Sequence, residues 1–453
     1  MKAQVIEIEW HERNKSIFSV DISKEGLVAT GGQDGRVSLW RVAAGDGAIA
    51  SHRGGPAVGG KWGKRQRLMA AAAASAKQVT FVEALEGHAA AVSVVRFDPA
   101  RSHRLASGAD DGYAILWEYD SAQGKWRLEA TLHEHNDMIM DMAWSVDGRH
   151  LATASVDNTV AVWDMSESSR PRRVASLREH TNYVQGVAWD PLGKYLCSLG
   201  ADRTLRMYEW TRGGRRLVPC GCVSTHAFEK REEPDEAEDG IGAAGRDQTV
   251  ATKSKPAPAL RWFAGQGILH FFRRLAWSPD GQVLACPASL AYATDNSSSE
   301  KRDMAKVLKS RCHAVHVFAR RHLHMPWGHL DGHGEPVIAV RFCPRRYHPV
   351  PAVEGVTTGE AFPPRTDRLV VAVATQTQVF LYDTQHSHPI ARCAGLHLAY
   401  LTDMAWAPDA SYLLVASLDG YLSKIRFDRE NELGTELETA DVEVMPDSAI
   451  SSS

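Results

Sequence analysis

Long apolar runs are missing from this sequence: no stretch reaches the roughly 20 residues that a membrane helix needs. Cysteine is sparse as well. Seven scattered thiols are an odd count with no paired framework, which excludes a disulfide-stapled secreted domain and suits a reducing compartment. No sign of charge dominates. The formal net charge of −3 supplies no bulk positive field, so direct sequence-specific DNA binding is not expected. Residues 1–13 are too charged to read as a secretory signal. There is no GxxxxGK(S/T) loop, GxSxG elbow or HExxH helix, so no enzyme class and no cofactor is indicated.

What is present is globular composition, 44% hydrophobic and 24% charged, with 36 glycines and 13 tryptophans. It is organised as a repeat. His88 is followed nine residues later by Phe97, His135 by Trp144, His180 by Trp189, His333 by Phe342 and His397 by Trp406. A short apolar strand then leads to Asp111, Asp157, Asp202 and Asp419. Six residues beyond the first three stand Trp117, Trp163 and Tyr208. The His–Asp interval is 22 residues in three units and 23 in the His88 unit. The first unit is looser: Asp34 and Trp40 keep the six-residue step, but His11 stands two residues too early. The fifth has Ile268 in place of its His, and the sixth has no Asp before its last strand. Seven units result, ending near Trp40, Trp117, Trp163, Tyr208, Phe318, Tyr382 and Phe427.

Short period-two strands with Asp-Gly turns, a period near 45 residues and Trp163-Asp164 form a WD-repeat signature. The expected fold is all-β: a seven-bladed β-propeller over residues 1–427, each unit a four-stranded blade. Residues 4–10, which alternate in polarity, are expected to close the ring as the outer strand of the last blade. Insertions are expected at 43–84, 213–267 and 290–311, and an acidic, disordered tail at 428–453 with eight acidic residues and one basic.

The recurring polar sets are His88, Ser107, Asp111, Trp117; His135, Thr153, Asp157, Trp163; and His180, Ser198, Asp202, Tyr208. A Ser-His-Asp catalytic triad occurs once in an enzyme, whereas this set recurs blade after blade. The expected role is structural: Asp accepts from His, His from the hydroxyl, and the hydroxyl from the indole N–H. Cys220, Cys222 and His226 could supply metal ligands, but no fourth is evident and no metal site is expected. His322, His324 and His329 read as surface residues, while His333 has a blade role. The basic stretch Lys61, Lys64, Arg65 and Arg67 reads as a solvated loop before a nuclear-import or nucleic-acid patch. Loop residues after the blade histidines would crowd one rim and suit a protein interface: Asn136, Asp137, Asn182, Tyr183 and Tyr400. Phe271, Phe272, Arg273 and Arg274 are a second candidate, because two adjacent arginines cannot both point inward on a strand.

Longer stretches carry a resemblance. Residues 183–208 read YVQGVAWDPLGKYLCSLGADRTLRMY, 271–281 FFRRLAWSPDG, 381–385 LYDTQ and 418–421 LDGY. With VIEIEWHERNKSIFSVD near the start and SVDNTVAVWD at 155–164, the chain resembles the middle, WD-repeat subunit of chromatin assembly factor 1. The first two motifs are shared with HIR-type histone chaperones, whereas LYDTQ and the short extension favour the assembly factor. The resemblance implies a nuclear complex with a large acidic subunit and a second WD-repeat, histone-binding subunit. That complex would deliver histones H3 and H4 in replication-coupled nucleosome assembly. Animal members carry a basic tail motif for the chaperone antisilencing function 1. It is not seen here, which places direct binding of that partner in doubt. A different class, a ubiquitin-ligase substrate receptor, would show Trp-Asp-x-Arg, but Met165 and Ser166 follow Trp163-Asp164.

Overall fold

A computed structural model describes residues 1–6, 8, 10–12, 15–43, 79–167, 170–211, 216–226, 260–261, 263, 272–291, 312–350, 361–386, 388–427 and 433–437. Seven four-stranded antiparallel sheets follow one another around a ring. Blade 1 runs Ile17–Ile22, Leu27–Gly32, Arg36–Val42 and Val79–Glu86; blade 2 runs Val92–Phe97, Arg104–Ala109, Tyr113–Asp120 and Lys125–His133. Blade 3 runs Ile139–Trp144, His150–Ser155, Val160–Asp164 and Arg172–Leu177; blade 4 runs Val184–Trp189, Tyr195–Gly200, Leu205–Trp210 and Leu217–Val223. Blade 5 comprises Ala276–Trp277, Val283–Ala291, Cys312–Ala319 and Gly328–His333; blade 6 comprises Val337–Tyr347, Arg368–Thr375, Gln378–Asp383 and Ala391–Ala394. Blade 7 comprises Leu401–Trp406, Tyr412–Ser417 and Leu422–Arg426, and its outer strand is Lys2–Ile6.

The closing strand thus pairs Lys2 with Arg426 and Ile6 with Leu422. It lies slightly ahead of the expected 4–10, because Trp10 leaves the sheet and packs edge-on against Trp40, 4.9 Å between centroids. The core is distributed between blades. The second strands Leu27–Gly32 and Arg104–Ala109 are buried along their whole length, sandwiched by neighbouring sheets. Such strands need apolar or small residues on both faces, which is why they read as short continuous runs. Six inner strands shift register near their start, as between Val92 and Val94 or Leu401 and Asp403, which re-aims side chains toward the axis.

Several boundaries differ from the sequence reading. The expected insertion at 43–84 includes most of the outer strand Val79–Glu86, and that at 213–267 includes Leu217–Val223. Outer strands are half exposed, so their alternation is weak and they resemble loops. Residues 44–78, 227–259 and 292–311, with the basic stretch at Lys61–Arg67, lie outside the described residues. The tail differs too. Leu433 is buried in the core shared by blades 6 and 7, Glu436 forms a β-bridge with Tyr347, and Arg345 binds Glu436 at 2.8 Å. Residues 433–437 are therefore packed on blade 6, because a leucine among acidic residues has an apolar site to fill. The remaining residues after 427 lie outside the described part.

Candidate functional site: the rim and the axis

The polar sets join strand to turn within each blade. In blade 2, Trp117 Nε1 donates to Ser107 Oγ at 2.8 Å, Ser107 Oγ lies 2.7 Å from His88 Nε2, and His88 Nδ1 lies 3.2 Å from Asp111. Blade 3 repeats this with Trp163–Thr153 at 3.3 Å, Thr153–His135 at 2.7 Å and His135–Asp157 at 3.0 Å. In blade 4, Ser198–His180 is 2.8 Å and His180–Asp202 2.9 Å. There the Tyr208 hydroxyl donates to Glu179 at 3.2 Å, so the phenol reaches past the serine to a carboxylate. Each aspartate also receives backbone N–H groups, such as those of Ala89 and Tyr113 on Asp111. Burial pushes Asp202 up, but His180, Thr204 and the Thr181 N–H outweigh it and hold its carboxyl at about 2. These groups satisfy one another within each blade.

Blade 1 carries a full set that the spacing to its aromatic residue obscures. His11 lies 2.8 Å from Asp34 and 3.0 Å from Thr30, to which Trp40 donates at 3.2 Å. The usable signal is the 23-residue His–Asp interval, equal to that of the His88 unit. Blades 6 and 7 depart. Val373 stands where a hydroxyl stands in blades 1–4, and the Tyr382 hydroxyl meets His333 Nε2 directly at 3.3 Å. In blade 7, His397 keeps Asp419 at 3.0 Å, but Val415 and Ile425 occupy the hydroxyl and indole positions. His329 is not a simple surface residue: it packs against His316 across blade 5, 5.2 Å between ring centroids. Cys220 and Cys222 are exposed on the outer strand of blade 4, and the His226 side chain lies outside the described part.

The candidate rim residues sit on the loops that enter each blade. Asn136 and Asp137 are exposed, Asn182 and Tyr183 are half-buried, and Tyr400 is 42% exposed. The same rim holds Leu398, fully exposed, and Tyr113 and Tyr421. Both tyrosines follow Asp-Gly, a repeated signal in the turn of blades 2 and 7 that the His–Asp spacing does not pick out.

The second candidate is corrected. Phe271 lies outside the described residues, while Phe272, Arg273 and Arg274 are 7%, 4% and 0% exposed. The inference that one arginine must be displayed assumes an in-sheet strand. Only Ala276–Trp277 pairs within blade 5, and the residues before it bulge into the axis, where alternation does not apply. Arg273 N donates to Gln185 O of blade 4 at 3.2 Å, and Arg274 N to Ile338 O of blade 6 at 2.9 Å. Gly186 permits this approach, since a Cβ there would collide with the Arg273 carbonyl oxygen. The Arg274 guanidinium then donates to Ser93 O of blade 2 at 3.0 Å, Phe18 O of blade 1 at 3.4 Å and Thr402 O of blade 7 at 2.6 Å, and reaches Asp141 of blade 3 at 3.4 Å. Two consecutive residues thus touch all six other blades.

Arg274 belongs to a buried charge network. Arg96 binds Asp403 at 2.9 Å and Asp141 at 3.2 Å, and Arg341 binds Asp403 at 2.9 Å. Burial drives Asp403 up, yet Arg274, Arg96 and Arg341 prevail and hold its carboxyl well below the usual range. Burial brings Arg274 down to about 10 against the pull of Asp403, so it stays charged at neutral pH. Around Arg274, cations, carboxylates and backbone carbonyls are paired with one another.

With this geometry in place, known proteins supply a comparison. The CAF1B/HIR1 beta-propeller domain matches residues 67–218 and 242–433, and a WD domain, G-beta repeat, matches residues 3–41. The chain belongs to the CAF1B/HIR1 propeller family. Within it, the chain is 34% identical to the chromatin assembly factor 1 subunit FAS2 homolog of Oryza sativa subsp. japonica, covering 96% of this chain and 74% of that one. It is 30% identical to the corresponding chromatin assembly factor 1 subunit of Mus musculus, covering 96% and 68%. Protein HIR1 of Yarrowia lipolytica is 26% identical, covering 93% and 37%. The CAF1B/HIR1 match takes in the axial arginines and the blade sets of blades 2–4, and the WD match takes in the closing strand and the His11 set.

Proposed function

We propose that this propeller is a non-catalytic scaffold subunit of a histone H3–H4 chaperone complex that acts in the nucleus during replication-coupled nucleosome assembly. It would dock a large acidic subunit and, beside a second WD-repeat histone-binding subunit, help present histones. The observation that carries this reading is identity to chromatin assembly factor 1 subunits spread over 96% of the chain. The chemistry is in keeping: in blades 1–4 the polar sets bond to one another, which fits recognition by loops on a rigid frame. Asn136, Asp137, Asn182, Tyr183 and Tyr400 are the rim residues proposed to meet a partner, with Tyr113 and Tyr421 beside them. Phe272, Arg273 and Arg274 are withdrawn from that surface because they are buried.

Affinity purification of the tagged chain from dividing cells tests the proposal. Recovery of the large subunit with H3 and H4 is the expected result. Ligase components without histones would overturn it. A replication-independent, HIR-type role is the second reading, since the matching family includes HIR1. Recovery of histones from non-replicating cells as readily as from dividing ones would favour it.

A further inference from the structure

In a four-stranded blade the turns between strands one and two and between three and four stand on the rim opposite the His–Asp turns. Residues 320–327 occupy such a turn in blade 5, and residues 348–350 and 361–367 flank the corresponding position in blade 6. Between them lies a groove of about 810 Å³. Its lining is apolar from both sides: Met325, Pro326 and Trp327 from blade 5, Pro349, Phe362 and Pro363 from blade 6. Met325 is 51% and Trp327 45% exposed, and neighbouring Val350 is 42% exposed. Large apolar side chains exposed side by side mark a contact surface.

The groove is held open by the fold itself. Arg365 of blade 6 reaches Asp280 of blade 5 at 2.5 Å and Asp367 at 2.7 Å. Gln385 exchanges two hydrogen bonds with the Val350 backbone, at 2.8 and 3.0 Å. Walls fixed in this way cost an incoming segment little ordering. Electrostatics then selects the sign of the occupant. Among the described lining residues the only carboxylate is Asp367, buried and pinned by Arg346 at 2.6 Å and by Arg365. Exposed around it stand the cation Arg321 and the imidazoles of His322, His324 and His348, whose ring N–H groups can donate to carboxylates. A nucleic-acid backbone would need a row of cations and not one exposed arginine, and it would leave the apolar floor unused.

We propose that this groove docks an acidic segment of the large partner subunit, with an apolar side chain seated against Trp327 and flanking carboxylates toward Arg321 and His324. The inference rests on the scaffold reading above and gives that reading a place on the molecule. Apolar anchoring supplies affinity, and Arg321 with the imidazole N–H groups supplies orientation.

The test uses the full chain, purified as wild type, Trp327→Ala, and the double variant Arg321→Glu with His324→Glu. Synthetic peptides of about 20 residues, tiled across the acidic segments of the large subunit, are titrated by fluorescence anisotropy at about 50 and 200 mM salt. At least one peptide should bind the wild type. Trp327→Ala should weaken it about tenfold or more. The charge reversal should weaken it at low salt and flatten the salt dependence, and both variants should unfold at the wild-type temperature. If the wild type captures the intact large subunit while all three proteins bind the peptides equally, the groove is overturned and the scaffold reading stands. Failure of the wild type to capture the large subunit would overturn both. Peptide binding that emerges only after residues 438–453 are removed would assign the groove to the chain's own acidic end, and that too would overturn the proposal.

Discussion

Blades 1–4 and blades 5–6 solve the same packing problem differently. In blades 1–4, a histidine, a hydroxyl and an aspartate close on themselves within one sheet. In blades 5–6 that set is broken. Cys286 and Phe318 replace the hydroxyl and indole in blade 5, and Val373 replaces the hydroxyl in blade 6. Freed from blade pairing, the residues before Ala276 cross to the axis and bond to the rest of the ring. The regular blades therefore carry local order, and the irregular ones carry the long-range ties and the groove.

The sharpest way to break this contrast is at the axis. Arg274→Ala strips a buried cation from Asp141 and Asp403, and the expected loss is roughly 3–5 kcal/mol in denaturant unfolding. A loss no larger than that from a single blade histidine would erase the distinction. Acid should come next. Burial and His313 hold His333 down at about 4, against an ordinary value of 6.5. Below 6.5 the unfolded chain binds a proton that the folded chain refuses, so stability present above that pH is lost as pH falls through 4, by up to roughly 1.4 kcal/mol per unit. Asp34 and Asp202, at about 2 against 3.8, release their stabilisation only as pH falls from 3.8 through 2. Hydrogen exchange at pH 7 and pH 5 should show peptides of blades 5 and 6 losing protection first. Even loss around the ring would count against the contrast.

Within the repeat, His135→Ala leaves Thr153 and Asp157 short of a buried partner and should cost roughly 1–3 kcal/mol. His397→Ala in blade 7 removes only the contact to Asp419 and should cost less, about 1 kcal/mol. Equal costs would mean that the hydroxyl and indole add nothing. The smallest effect is expected at the rim. Tyr400→Ala should shift stability by no more than about 0.5 kcal/mol while weakening partner capture in pull-down.

Much of the fold is legible because blade chemistry is local. A histidine and its aspartate stand 22 or 23 residues apart, a distance set by two strands and their turns, so the spacing reports the geometry. His11 looks displaced only when its distance to the next aromatic is weighed above its distance to Asp34. Outer strands such as Val79–Glu86 read as insertion because half-exposed strands keep little alternation. The candidate site is less legible. A rule for paired strands places Phe272, Arg273 and Arg274 at the surface, and they are not paired within their sheet.

The sequence by itself determined the number of blades, their order, the polar partners inside blades 2 and 3 and the His180 partners in blade 4, since those depend on strand length and turn chemistry alone. Tertiary structure decided the axis and the groove. Arg274 bonds to residues 128, 181 and 256 positions away, and such pairs meet only when seven wedges have closed into a ring. No local period encodes that closure, because it is a property of the summed twist and packing of all the sheets.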